Sequence, residues 1–293
     1  MNPSHIDRQM TLQDGRSLAW AEYGDASGDP LFAFHGTPGA RNMIRVIDAV
    51  ARDHGVRIIA PDRPGFGRSD FLSTRTLLDW PDDVASLADH LGLGRFAVAG
   101  VSGGGPYALA CAYRLPHRVT TVGVVSGLGP VIESGLKAAL LRAPMASLLL
   151  LQRAPSLLRA VTASVAFGVR RFPDKVFQSL LLVSSESDRA VLQRAVVRNT
   201  LLEAFEEAFA QGVEGVSHEI ALFGRAWEFD LAAITAPVHL WHGESDGQVP
   251  VAMGRYMAQR LPQCRARFVP HAGHYWIFDH QAELLAALFP RPS

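Results

Sequence analysis

The segment around Ser102 constrains the fold more than any other part of the chain. An apolar run at 95–99 leads directly into Gly100-Val101-Ser102-Gly103-Gly104, and residues 106–115 have a helical pattern. A serine at the apex of so tight a turn takes strained backbone angles, so the residues two before and two after it must lack side chains. Gly100 and Gly104 meet that requirement. The segment therefore predicts a strand, a sharp turn and a helix, with the Ser102 hydroxyl above the edge of a sheet.

Apolar runs bounded by Gly, Pro and Asp alternate with helical patterns, which is typical of an α/β fold with a mostly parallel sheet. The first two runs, joined around Asp14-Gly15, predict an antiparallel hairpin at one edge. The later runs are short and apolar, as expected of buried parallel strands. The predicted strands are 8–12, 17–23, 31–35, 57–60, 95–99, 120–126, 237–242 and 265–269.

The alternation stops after residue 130 and resumes only near residue 228. Residues 131–227 have successive helical patterns with no convincing strand. The sequence therefore predicts one α/β core domain, formed by residues 1–130 and 228–293, and a helical cap, residues 131–227, inserted after the sixth strand.

Composition limits the classes of partner. The 293 residues carry 28 basic and 28 acidic side chains without a long charged run, so nothing indicates a nucleic-acid partner. Two cysteines are too few for a disulfide framework or a metal site. The polar start of the chain and the absence of an uncharged apolar run of roughly 20 residues argue against a secretion signal and a membrane span. We expect a cytoplasmic protein acting on a small molecule; the oligomeric state is left open.

A serine hydroxyl needs a base within hydrogen-bond reach and a carboxylate that orients the base. His274 lies in the loop after the last predicted strand, 265–269, and active sites of open α/β sheets lie outside the carboxyl ends of the strands. The acid is expected in the loop after the preceding predicted strand, 237–242. Asp246 is the predicted acid, with Glu244 as its main rival.

Two backbone amides are candidate donors to the developing oxyanion. The amide of Gly103 follows the serine at the start of a helix, and the loop His35-Gly36-Thr37-Pro38-Gly39 follows another predicted strand. The amide of Thr37 is the second candidate, since Pro38 has no amide hydrogen.

The Thr37 loop, the serine turn and the loops of Asp246 and His274 follow one another in the order typical of the α/β-hydrolase superfamily. A further segment of that order is Pro61-Asp62-Arg63-Pro64-Gly65-Phe66-Gly67-Arg68-Ser69. The chain resembles this superfamily over about 31–289. The resemblance implies an eight-stranded sheet with helices on both faces and a cap after strand six. It also implies a serine hydrolase triad of Ser102, Asp246 and His274, with oxyanion amides at Thr37 and Gly103. Some branches place the acid after strand six, but residues 126–130 contain no carboxylate. Hydrolysis by such a triad needs no metal and no cofactor.

The resemblance favours an esterase-like serine hydrolase that cleaves a small, rather apolar carboxylic ester. Serine at position 102 excludes the carboxylate-linked intermediate of dehalogenase and epoxide hydrolase branches. A carbon–carbon bond hydrolase, a haloperoxidase-like enzyme and a non-catalytic ligand receptor remain alternatives, as does a prolyl aminopeptidase whose cap acids, Glu203, Glu206 and Glu207, hold a substrate amine. His35 and Trp276 are the predicted substrate-binding residues.

Overall fold

A computed structural model describes residues 6–133, 136 and 151–290 of the chain. Eight strands form one sheet in the order β1-β2-β4-β3-β5-β6-β7-β8. The pairs β1·β2 and β2·β4 are antiparallel and the other five are parallel. The predicted α/β-hydrolase fold, with a mostly parallel eight-stranded sheet and a hairpin at one edge, is confirmed. The strands are β1 (Ile6–Thr11), β2 (Ser17–Gly24), β3 (Asp29–Phe34), β4 (Val56–Pro61), β5 (Phe96–Val101), β6 (Val119–Val125), β7 (Val238–Gly243) and β8 (Cys264–Val269).

Every predicted strand overlaps an observed strand, and their ends differ by two residues at most. From β3 onward, helices separate the strands along the chain. They are α1 (Asp48–Asp53), α2 (Trp80–His90), α3 (Gly105–Arg114), α4 (Pro155–Arg171), α5 (Pro173–Val183), α6 (Glu186–Leu192), α7 (Ala195–Ala208), α8 (Glu214–Phe223), α9 (Val251–Arg260) and α10 (Gln281–Leu288). Short 3₁₀ turns cover Arg41–Ile47, Ser102–Gly104, Leu151–Arg153, Leu231–Ala233 and Trp276–Asp279.

Both faces of the sheet are buried, which explains why the central strands are continuously apolar. Successive side chains of a strand point to opposite faces of the sheet. Phe32 and Val98 therefore belong to the apolar cluster on the face that also contains Tyr107 of α3. Their neighbours Leu31 and Ala97 belong to a second apolar cluster on the other face. The two clusters hold the sheet between two layers of helices.

Five of the described helices, α4 to α8, lie between β6 and β7 in the chain, and we call them the inserted helices. Within residues 131–227, the described part contains no strand; residues 134, 135 and 137–150 of the predicted cap lie outside the described residues. A third apolar cluster joins Phe177, Leu192 and Leu201 of these helices to Tyr275 of the core. The division into core and cap domains stays a prediction. Among the described helices, none has both the length and the apolar character to cross a bilayer.

Candidate active site

Ser102 occupies a strained turn between β5 and α3. Its φ of 54° lies in the left-handed region, which a residue with a side chain rarely adopts. A Cβ atom at Gly100 would lie 2.1 Å from the carbonyl oxygen of Gly104, and one at Gly104 would lie 2.4 Å from that of Phe34. The two glycines therefore allow the backbone to approach itself closely enough to present Ser102 at the end of β5.

Ser102 and His274 line the same cavity, which has a volume of about 290 Å³. Its walls combine apolar side chains of the sheet, such as Leu31 and Ala99, with those of the inserted helices, such as Leu201 and Phe205. Among the described lining residues, there is no Lys, Arg, Asp or Glu; the polar side chains are Thr37, Ser102, Gln248, His274, Tyr275 and Gln281. The cavity is suited to an uncharged, mainly apolar molecule.

A carboxylate fixes the orientation of His274. The Nδ1 atom of His274 lies 2.7 Å from Asp246 Oδ2, a hydrogen bond in which the ring N–H donates. Nδ1 then carries a proton in the neutral ring, so Nε2 is the nitrogen that can accept one. Burial of the ring opposes protonation, but the charge and hydrogen bond of Asp246 outweigh it and raise the pKa of His274.

Asp246 is held in its ionised form. Its side chain is fully buried, and Oδ1 accepts the backbone amides of Gln248 and Val249, both at 2.8 Å. Burial alone would raise the pKa of Asp246, but His274 and His242 hold it well below its ordinary value. The rival acid, Glu244, instead pairs with Arg255 at 2.7 Å on the surface. Asp246 is thus the acid beside the histidine.

The loop that contains Thr37 lies next to the serine turn. Gly36 and Thr37 line the cavity with Ser102, and a Cβ atom at Gly103 would lie 2.3 Å from Thr37 Oγ1. The two amides predicted to bind an oxyanion therefore belong to neighbouring residues beside Ser102. Their role stays a prediction.

A buried cluster of charges holds the Thr37 loop to the inserted helices. Glu219 of α8 is fully buried and accepts five hydrogen bonds, from Thr37 Oγ1, Tyr107 Oη, Arg75 Nη2 and two nitrogens of Arg63. Both Arg63 nitrogens lie within 2.8 Å. Burial opposes ionisation, yet the charge and hydrogen bonds of Arg63, followed by Arg75 and Thr37, lower the pKa of Glu219 to about 2.

Arg63 also reaches the main chain of the same loop. Its Nη1 donates to the carbonyl of His35 at 2.6 Å and its Nη2 to that of Gly36 at 3.2 Å. The motif at 61–69 identified Arg63, but no sequence pattern connected it with Glu219. The structure therefore adds an acid from the inserted helices to the support of the loop.

Two predicted substrate contacts, His35 and Trp276, are not among the residues that line the described cavity. His35 is fully buried; its Nδ1 donates to the carbonyl of Gly36 at 2.8 Å, and burial lowers the pKa of His35 well below its usual value. Trp276 packs in the apolar cluster that contains Leu284. We include neither residue in the proposed substrate contacts.

The three acids of α7 do not line the cavity in the described part of the chain. Glu203 pairs with Arg45, Glu207 pairs with Arg41, and Glu206 is exposed. Within the described residues, no group of three or more His, Cys, Asp and Glu side chains is placed to hold a metal ion.

The family follows from comparison with known proteins. The sequence model of the family described as "alpha/beta hydrolase fold" matches residues 29–281. The chain belongs to this family, as the sheet order and the serine turn already indicated.

Curated relatives differ in their named activities. The chain is 34% identical over 125 residues to a non-heme chloroperoxidase of Streptomyces lividans, a match that covers 42% of this chain and only 45% of that protein. It is 27% identical over 294 residues to a 2-hydroxymuconate semialdehyde hydrolase of Pseudomonas putida, which covers 96% of this chain and 94% of the relative.

A thermophilic esterase of Thermogutta terrifontis has the same fold, with a TM-score of 0.68 and 23% identity over 97% of this chain and 96% of the other. The structural similarity shows the fold, and the family model shows the family.

Proposed function

We propose that the protein is a serine hydrolase that cleaves a small, uncharged, rather apolar carboxylic ester through an acyl-enzyme at Ser102. The observation that carries this proposal is the combination, on one apolar cavity, of a serine at a strained turn and a histidine hydrogen-bonded to a buried aspartate. In that set the serine supplies the nucleophile, the histidine its general base, and the aspartate the carboxylate that orients the base.

In the first half of the proposed reaction, Ser102 Oγ attacks the ester carbonyl carbon while Nε2 of His274 takes the hydroxyl proton. The Asp246 carboxylate keeps the imidazole in the required tautomer and stabilises the imidazolium. The amides of Thr37 and Gly103 donate to the oxyanion, a contribution of about 3 kcal/mol for one donor in comparable sites. The tetrahedral intermediate collapses as His274 returns the proton to the departing alkoxide, and the alcohol leaves.

In the second half, His274 takes a proton from water, and the resulting hydroxide attacks the acyl carbon. Collapse of the second tetrahedral intermediate breaks the bond to Ser102 Oγ, which regains its proton from His274. The products are the free acid and the enzyme in its starting state.

The cavity supports a neutral substrate. Burying an unpaired charge costs several kcal/mol, and the described lining offers no charged side chain as a partner. The volume of about 290 Å³ lies near the lower end of the range for small-molecule sites, which favours a small ester.

A carbon–carbon bond hydrolase is the second candidate, because a relative that matches over nearly the whole chain is named a 2-hydroxymuconate semialdehyde hydrolase. The same serine, histidine and aspartate would serve that reaction. A carboxylate-bearing substrate would, however, require a cationic partner that the described lining does not contain. A prolyl-aminopeptidase-like activity has less support, since Glu203, Glu206 and Glu207 do not line the described cavity.

Labelling with a fluorophosphonate probe, followed by peptide mapping, tests the proposed nucleophile. We expect modification of Ser102 in the native protein, none in Ser102→Ala, and strongly reduced labelling in Asp246→Asn and His274→Ala. A panel of neutral p-nitrophenyl esters and a vinylogous diketone then separates the two candidate reactions. Folded native protein that neither labels nor turns over any substrate would refute the proposal, and a ligand-induced thermal shift unchanged by Ser102→Ala would then indicate a receptor.

A further inference from the structure

Asp188 is a buried carboxylate of the inserted helices that faces the histidine loop. It lies on α6 and is 1% exposed. Its Oδ2 atom accepts the backbone amide of His274 at 2.8 Å, and Oδ1 accepts the amide of Tyr275 at 2.7 Å. Both carboxylate oxygens are therefore used by two consecutive amides that lie 86 and 87 residues further along the chain.

Gly273, the residue before His274, permits this contact because it has no side chain. A Cβ atom at Gly273 would lie 2.1 Å from Asp188 Oδ2 and 2.3 Å from Ser185 Oγ. Ser185 caps the start of α6 by accepting the amide of Asp188 at 3.2 Å. The glycine thus lets the histidine loop approach α6 closely enough for the carboxylate to reach its amides.

Asp188 is one of two carboxylates that act on His274. Asp246 holds the ring at Nδ1, while Asp188 holds the main chain and adds a second negative charge that favours the imidazolium. Among the described residues, His242, which contacts Asp246 at 3.4 Å, and the buried Tyr275 also lie beside this assembly. A charge buried so close to the ring is weakly screened by water.

We propose that Asp188 is a positioning residue for the catalytic base: it fixes the His274 loop against the inserted helices and stabilises the protonated imidazole during the reaction. The inference rests on the proposed function for its catalytic consequence. Its structural part, that the Asp188 carboxylate sets the position and proton affinity of His274, does not.

Three substitutions separate charge, geometry and general helix effects. Asp188→Asn removes the charge and one of the two acceptor oxygens. Asp188→Glu keeps the charge but moves the carboxylate by one methylene. Glu186→Gln is the matched control, because it removes one negative charge from an exposed side chain of the same short helix.

The proton affinity of His274 is measured by NMR titration of protein with ¹³C-labelled histidine, with its resonance assigned from a His274→Gln variant. We expect a lower titration midpoint in Asp188→Asn than in the native protein, and native midpoints in Asp188→Glu and Glu186→Gln. We also expect kcat/KM on an ester substrate, per fluorophosphonate-reactive site, to fall by roughly tenfold to a hundredfold in Asp188→Asn, as for displaced catalytic groups elsewhere. Dividing the activity by the number of reactive sites corrects kcat/KM for any unfolded fraction of the variant.

A native midpoint and native kcat/KM in Asp188→Asn would overturn the inference, even if the native protein proves to be an esterase. A shifted midpoint in a protein that hydrolyses no ester would support the positioning of His274 and refute the proposed function instead. If Asp188→Asn does not fold, Asp188→Glu decides: a several-fold lower kcat with a native KM and midpoint supports positioning, and a native kcat overturns it.

Discussion

Replacement of Glu219 by glutamine removes a negative charge from a fully buried site and keeps the size of the side chain nearly unchanged. Arg63 and Arg75 are 0% and 2% exposed in their side chains, so water cannot replace the lost carboxylate. A glutamine retains one acceptor oxygen for the five hydrogen bonds that the carboxylate accepts. Its amide nitrogen is a donor and would face other donors. We expect Glu219→Gln to fold with a substantially reduced free energy of unfolding.

The magnitude follows from two arguments that agree. The pKa of Glu219 falls from 4.5 to about 2 in the folded protein, and at about 1.4 kcal/mol for each pKa unit this corresponds to about 3 kcal/mol. Removal of one partner of a buried ion pair costs roughly 3 to 5 kcal/mol. Because the pKa is lowered on folding, this contribution is fully present above pH 4.5 and is lost as the pH falls toward 2.

Equilibrium unfolding in guanidinium chloride at pH 7 measures the effect. Glu214→Gln is the matched control: Glu214 is on the same helix, and its ion pair with Arg159 is 40% and 60% exposed, so its loss should cost less than about 1 kcal/mol. The difference between native protein and Glu219→Gln should also narrow as the pH is lowered from 5 to 3. A Glu219→Gln variant no less stable than Glu214→Gln, or a difference independent of pH, would refute the reasoning.

Four other measurements test the site. Since only neutral His274 can act as the base and its pKa is raised, kcat/KM should fall with decreasing pH through a midpoint above 6.5; a midpoint below that value contradicts the assignment. Asp246→Asn should lower kcat by roughly 10⁴-fold at neutral pH without unfolding the protein, as in other triads, and an unchanged kcat would exclude Asp246 as the acid. Gly100→Ala should lower the free energy of unfolding by roughly 1 to 3 kcal/mol or more, because the new Cβ atom would collide with the Gly104 carbonyl oxygen. Gly94→Ala is the control and should leave the free energy of unfolding nearly unchanged, because the space around Gly94 is open. Equal effects of the two substitutions would refute the steric argument. A neutral p-nitrophenyl butyrate should be hydrolysed at least a hundredfold faster, in kcat/KM, than the p-nitrophenyl monoester of succinate; comparable rates would mean that the cavity has a cationic partner.

The sheet was predictable because its determinants are local. The central strands are short apolar runs bounded by turn residues. The loops that carry the candidate catalytic residues followed from the rule that active sites lie at the carboxyl ends of parallel strands. The positions of Ser102, Asp246 and His274 were therefore available from the sequence, and the structure brings the last two within 2.7 Å.

The two carboxylates of the inserted helices were not predictable in the same way. Glu219 contacts Arg63 across 156 positions, and Asp188 contacts His274 across 86. Helical periodicity places both acids on helices, but it does not reveal which core loop a helix meets. The acids that the sequence suggested, Glu203, Glu206 and Glu207, share a helix and are conspicuous for that reason, whereas isolated buried acids leave no local pattern.

The 156 positions between Arg63 and Glu219 also bear on how the chain folds during translation. At 5 to 20 residues per second, translation delivers Glu219 roughly 8 to 30 seconds after Arg63. During that interval the guanidinium lacks the Glu219 carboxylate, and burying it without that partner would cost several kcal/mol. The amino-terminal half of the nascent chain must therefore keep this part of its future interior hydrated. Arrival of α8 then supplies the carboxylate, so burial of this charge cluster depends on a helix that is synthesised long after the first strands.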